Sequence, residues 1–188
     1  VGKESYMKYL KNRKIAVRIT SFIVLFSILL GAHLSLTKLR DEALQIFYSG
    51  EKMNGKGIQS DLEYIADQCY NLTVVAGRYM NKEDVIILEI IQNRDLLGNA
   101  DTPGDKYQAK EKLIKSTMIL YENLKSLNLN ERDEYYNDSF PVNVESRQLI
   151  ISHSSYNKNA LTFNNILEKF PANILRWIIF MKPLELYE

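Results

Sequence analysis

Between Ile19 and Leu36 the chain reads ITSFIVLFSILLGAHLSL, with no Asp, Glu, Lys or Arg. A helix needs about 20 mostly apolar residues to cross the hydrocarbon core of a bilayer. Ala16 and Val17, with Arg18 tolerated at the edge, bring the run to that length. A transmembrane helix is therefore expected over residues 19–36. Beyond it Leu36, Leu39, Ala43 and Ile46 keep a three-four spacing, so the helix should continue outward to about Ser49. The glycine-rich stretch GEKMNGKGI then breaks it.

The most regular pattern follows. Ile58, Leu62, Ile65, Cys69, Leu72, Ala76 and Tyr79 alternate steps of four and three, which puts them on one helix stripe. Residues 81–84 read as a join. The next helix has Val85, Leu88, Ile91 and Leu97 among its apolar positions and ends near Gly98. NADTPGD is a loop by its Pro-Gly and Asn/Asp content. Leu113, Thr117, Leu120, Leu124 and Leu127 predict a helix from about Lys106 to Asn128. NERDEYYND reads as a polar helical turn or short helix, and Pro141 forbids a smooth continuation from it. A last long helix is expected from about Asn143 to Lys169, with Leu149, His153, Tyr156, Ala160, Phe163, Leu167 and Phe170 as its seam, and Pro171 stops it.

No period-two strand pattern competes. Stripes of four-three spacing need one another to be buried, as in helices packed at shallow angles. The expected fold is all-α: an N-terminal transmembrane helix followed by an antiparallel helical bundle of about four long helices. The divisions are a basic segment 1–18, the transmembrane helix 19–36, a bundle 37–170 and an apolar tail 171–188.

Charge changes this picture only locally. Lys+Arg is 24 and Asp+Glu 23, so nothing in the balance favours nucleic acid. Six of those cations, Lys3, Lys8, Lys11, Arg13, Lys14 and Arg18, precede the apolar run against one acid, Glu4. The positive-inside rule then puts the N-terminus in the cytoplasm and the bundle outside. The rival is a cleaved signal peptide, but His33 and Leu34 spoil the small-x-small cleavage sites, and an uncleaved anchor is expected. The tail holds Ile174, Leu175, Trp177, Ile178, Ile179 and Phe180. It either meets the membrane interface, with Trp177, Tyr187, Arg176 and Lys182 at the headgroups, or caps the open end of the bundle.

Candidate chemistry is thin. Residues 50–57, GEKMNGKG, nearly spell a phosphate-binding loop, but Gly57 stands where a Ser or Thr must hold magnesium, and a helix precedes the loop where a strand is needed. Leu30 and Ile150 stand three residues before His33 and His153, so neither makes the Glu-x-x-His pair of a bundle metal site. His33 reads as an interfacial polar residue, and His153 as a hydrogen-bonded core or seam-edge residue. The single cysteine, Cys69, lies mid-stripe and reads as a small buried hydrophobe. No catalytic residue, metal or cofactor is expected.

At the last helix the chain carries Tyr156-Asn157, Phe163-Asn164 and Phe170-Pro171 seven residues apart, then Asn173 and Lys182-Pro183. With Asp67, Asn71-Leu72 and Tyr79 on the first regular helix, this ladder resembles the LemA family. Ile65 stands where the family usually has Arg, and Tyr70 where it usually has Pro, so the chain resembles a divergent member. The resemblance implies a membrane-anchored helical bundle without a known catalytic residue. Descriptions of the family often place the short N-terminus outside, against the charge count. The ladder also gives Asn157 and Asn164 two readings. They are a solvated flank, or they hydrogen-bond a neighbouring helix, with Asp67 and Asn71 as counterparts. The expected function is an interaction or scaffold module whose partners are the lipid bilayer and a membrane or envelope protein. The alternative is an extracytoplasmic ligand-sensing bundle working through a membrane partner.

Overall fold

The computed structural model describes residues 13–188. Lys3, Glu4, Lys8 and Lys11 of the basic segment lie outside the described residues. The described chain is helical, with no strand: α1 Arg13–Ser49, α2 Ile58–Ala76, α3 Val85–Asn99, α4 Pro103–Lys125, α5 Glu131–Ser152, α6 Tyr156–Glu168 and α7 Ala172–Ile178. Two compact units divide it. Among the described residues, one comprises 42–162 with 184–188, and the other 13–41 with Phe163–Pro183.

The first unit is a helical bundle in which α2 packs on α3, α4 and α5. Its polar pairs fix direction. Arg78 and Tyr79 reach Asp133, Gln68 meets Asn143 at 3.2 Å, and Asp61 meets Arg147 at 3.1 Å. One number falls as the other rises, so α2 and α5 run antiparallel. Short side-chain caps start three helices. Asp84 accepts from the Ile86 N–H, Thr102 from the Asp105 N–H ahead of Pro103, and Asn130 from the Asp133 N–H. Each such cap contributes about 1 kcal/mol.

The α2 stripe is buried from Ile58 through Leu62, Ile65, Cys69 and Leu72 to Ala76. Tyr79 lies beyond the helix end and is half-buried. On α4, Leu113, Thr117, Leu120 and Leu124 are buried, and the Thr117 hydroxyl donates to the Leu113 carbonyl at 2.7 Å. Leu127 falls past the end of α4 and is exposed.

The inner face of α3 is fixed by packing, and two expectations about Pro141 and the last long helix are corrected. On α3 the buried face is Ile87, Ile90, Asn93 and Leu97, while Val85, Leu88 and Ile91 are exposed. The run VIILEII is apolar nearly all round, so spacing alone leaves its phase open. The marker of the inner face is polar: Asn93 Nδ2 donates to Ser116 Oγ at 3.1 Å. Pro141 does not end a helix but lies inside α5. It has no N–H for the Asn137 carbonyl, yet Phe140 and Val144 beside it are core residues and Asn143 and Arg147 tie the same helix to α2. Conversely the expected helix from Asn143 to Lys169 is two helices. His153 closes α5 with its Nδ1 2.8 Å from the Leu149 carbonyl, and Ser154 Oγ accepts from the Tyr156 N–H at 3.3 Å. The break resets the phase, so Tyr156, Ala160, Phe163 and Leu167 are buried while Leu149, His153 and Phe170 are exposed.

In the second unit, α1 is long and apolar enough to cross a membrane, and no residue of its most apolar stretch is buried. Phe22, Ile23, Val24, Leu25, Phe26 and Ile28 are all exposed. Ser27 turns its hydroxyl back onto the Ile23 carbonyl at 2.8 Å. Of the described residues of this unit, Leu36, Phe163 and Leu167 are the buried ones.

Leu72→Asp should abolish cooperative folding of the bundle. An unpaired buried charge costs about 3–5 kcal/mol, comparable with a small domain's whole stability. Thermal melts followed by circular dichroism check this, and an unchanged melting temperature would remove α2 from the core.

Candidate functional site

The side chains that stand out sit where α6 begins. Asn157 is in the first turn of α6, and its amide faces residues 184–188. Its Nδ2 donates to the Tyr187 carbonyl at 3.0 Å, and its Oδ1 accepts from the Tyr187 N–H at 2.8 Å. One side chain thus supplies both bonds that a neighbouring strand would give. The Tyr156 hydroxyl donates to the Glu185 carbonyl at 2.6 Å. From the other side, the Thr102 hydroxyl donates to Glu185 Oε2 at 2.6 Å. Gly104 lets the segment approach, since a Cβ there would stand 2.8 Å from that same oxygen.

Rings close the clasp. Phe47 lies edge-on to Tyr156 at 5.1 Å and tilted to Tyr187 at 5.8 Å, and Tyr107 meets Tyr187 edge-on at 5.3 Å. Leu184 and Tyr187 are buried, so Tyr187 is not available to a membrane surface. The buried Lys110 holds its ammonium 4.5 Å from the Tyr107 ring centre and 2.5 Å from Glu111. Beside the clasp lies a cleft of about 280 Å³, bounded by Ile58, Lys110, Gln148, Ile151, Asn157 and Tyr187. Lys110, already paired with Glu111, brings a cation beside the Tyr107 and Tyr187 rings, and Gln148 and Asn157 bring amides to the same cleft. Burial first, then the Glu111 charge and Tyr107, push the Tyr187 phenol well above its ordinary value.

A second polar cluster links α2 to the start of α5. Asp133 is fully buried. It accepts from Arg78, from the Tyr79 hydroxyl at 2.8 Å and from Asn130 Nδ2 at 2.9 Å. The Tyr79 hydroxyl in turn accepts from the Asn130 N–H at 3.1 Å. Burial alone would raise the Asp133 carboxyl. The bonds from Tyr79 and Arg78 and the Arg78 charge outweigh it and hold the carboxyl below its ordinary value.

The ladder and helix residues do not converge on one site. Tyr156 and Asn157 form the clasp, Leu72 is core, and Tyr79 serves Asp133. Asp67 is exposed and pairs with Arg94 at 3.3 Å, and Asn71 is exposed. Phe163 is buried and Asn164 half-buried in the other unit, where Phe170, Pro171, Lys182 and Pro183 are exposed. Asn157 therefore bonds the backbone at Tyr187, and Asp67 bonds Arg94. Phe47, Tyr107, Lys110, Glu185 and Arg78 escaped the sequence reading, for their partners lie far along the chain. Asn130 and Asp133 had a local signal, a capping residue with an acid three positions on.

The remaining candidates are structural. In the turn after α1, Gly55 N–H bonds the Ser49 carbonyl at 3.0 Å and Lys56 N–H bonds Asn54 Oδ1 at 3.1 Å, so these donors are spent within the turn and do not cradle a phosphate. A Cβ at Gly57 would run into the Phe47 carbonyl. Burial pushes the Cys69 thiol up to about 12, which leaves it inert. His33 and His153 are exposed. Among the described residues no cluster of His, Cys, Asp or Glu is placed to hold a metal.

Asn157→Ala should leave the Tyr187 N–H and carbonyl unpaired, at a cost of about 1–3 kcal/mol. Amide exchange at Tyr187 should then accelerate, with the α2 and α4 amides remaining slow. Asp133 gives a pH prediction. Its folded-state value is lowered, so its stabilisation is complete above the ordinary carboxyl value of about 4 and is lost as pH falls through the lower folded value. Asp133→Asn should be less stable than the parent at pH 7, and the gap should narrow on acidification. Urea titrations across pH check this, and a constant gap would rule it out.

The family model that matches the chain is that of the LemA family, over residues 54–188. No curated protein and no solved structure matches it.

Proposed function

The chain belongs to the LemA family, and from that premise we propose that it is a membrane-anchored interaction or scaffold module. The observation that carries the anchor is α1, which leaves its apolar residues uncovered along its whole most apolar stretch. Such a surface needs an apolar medium. Ser27 supports the same reading, because a hydroxyl in lipid must find its partner within the helix.

For the interaction half, the support is α3. It buries Ile87, Ile90 and Leu97 on one face and still exposes Val85, Leu88 and Ile91 on another. An apolar row left open after the core is complete is suited to a second protein, here a membrane or envelope protein. We propose no catalytic role, in keeping with the inert Cys69 and the spent donors of the glycine-rich turn. The cleft beside Lys110 favours a second reading, a ligand-sensing bundle that signals through a membrane partner. That cleft is at the small end for ligand pockets, which run from about 300 Å³ upward.

Orientation follows from charge: the basic N-terminal cluster in the cytoplasm and the bundle outside. Two experiments test the proposal. Alkaline washing should leave the full chain in the membrane fraction, and release into the supernatant would dismiss the anchor. Lys52→Cys, in the exposed turn after α1, should react with an impermeant thiol reagent in intact cells while the buried Cys69 stays silent. Reaction only after lysis would reverse the orientation. For the partner, Leu88→Glu with Ile91→Glu should strip co-purifying membrane proteins from a mild-detergent pull-down without changing the melting temperature.

A further inference from the structure

Residues 169–184 read KFPANILRWIIFMKPL, with three cations, Lys169, Arg176 and Lys182, and no acid. This segment holds α7 and its flanks. It exposes Phe170, Ile174, Trp177, Ile178 and Phe180, with Trp177 73% and Phe180 88% open. The Arg176 guanidinium lies 5.2 Å from the Trp177 ring centre. Aromatic rings beside cations are the composition of a membrane–water boundary. The stretch is far too short to span a bilayer.

Its place in the fold points the same way. Residues 163–183 form one compact unit with the α1 segment that ends at Asp41. The buried side chains described in that unit are Leu36 on α1 and Phe163 and Leu167 on α6. Leu36 is the last residue of the apolar run, and Lys38 and Arg40 follow it. Leu36 near the end of this α1 segment and Phe163 and Leu167 near the end of α6 thus belong to the same compact unit. α7 begins five residues after Leu167. If α1 spans, the exposed aromatic segment emerges where its hydrocarbon zone gives way to headgroups.

We infer that α7 and its flanks form a second membrane contact, lying in the plane of the bilayer interface. Trp177, Ile178 and Phe180 enter the acyl boundary, and Lys169, Arg176 and Lys182 meet anionic headgroups. The last five residues do not take part, because the clasp holds them in the bundle unit. The occupant of this apolar face is lipid, and the segment's uniform positive charge favours an anionic surface over a protein cap. The inference rests on the reading of α1 as the span.

Trp177 is the single tryptophan of the chain, so its fluorescence reports this segment directly. The full chain is reconstituted into phosphatidylcholine–phosphatidylglycerol vesicles whose acyl chains carry bromine at a shallow position. Trp177 emission should be blue-shifted, shielded from iodide and quenched roughly twofold or more by the brominated lipid. Arg176→Glu with Lys182→Glu should lose much of that quenching at unchanged helical content. Free access of iodide to Trp177, or a blue-shifted emission that brominated lipid leaves untouched, overturns the inference. The latter outcome would mean a protein cap. A second chain, Trp177→Phe with Phe26→Trp, reports α1 by itself. If its tryptophan is quenched by deep bromine and Trp177 of the parent is not, the interface contact falls and the span stands. If the Phe26→Trp probe is unquenched, the reading of α1 falls, and with it the basis of the inference.

Discussion

The bundle depends on covering α2 from three sides. Its stripe from Ile58 to Ala76 is the longest unbroken apolar row in that unit, and α3, α4 and α5 all pack on it. Each large apolar side chain hidden this way contributes about 1.5–3 kcal/mol. That drive is non-directional and would accept α5 in several registers. The polar pairs do not. Asp61, Gln68 and the Arg78–Tyr79 pair each have one partner along α5, spaced so that only one antiparallel alignment satisfies them together. Asp133 is the most demanding of these, because a buried carboxylate without its donors is far costlier than a lost apolar contact.

How much of this the sequence carried varies with the local pattern. The stripes of α2 and α4 were legible because apolar and polar positions alternate cleanly around each helix. α3 was not, because Val85, Ile86, Ile87 and Leu88 leave no polar side to read against. Its inner face is declared by Asn93, and that required knowing Ser116 was opposite. The helix through Pro141 and the break at His153 were misread for one reason. Local propensity disfavours a proline inside a helix and raises no objection at His153, whereas long-range ties to α2 support α5 across Pro141 and the Ser154 cap starts α6 afresh. The clasp was half legible. Tyr156 and Asn157 stood out as a pair, but their partners, at Glu185 and Tyr187, offer only backbone groups that no side-chain pattern announces.

The clasp also explains why the apolar end of the chain has two fates. Residues up to Pro183 carry exposed aromatics and cations, whereas Leu184 and Tyr187 are buried and Glu185 is pinned between Thr102 and Tyr156. Asn157 provides both hydrogen bonds of a strand edge without a strand. Residues 184–188 are thereby a packing element of the bundle.

Cys69 carries a different kind of consequence. Being the lone thiol, it offers no partner for an intrachain bridge, so the bundle has the same covalent structure in an oxidising or a reducing compartment. Being sealed between Ile65 and Leu72, it meets solvent only when the helices part. The chain therefore carries an internal gauge of its own breathing. The rate at which a thiol reagent consumes Cys69 under native conditions measures how often the bundle opens.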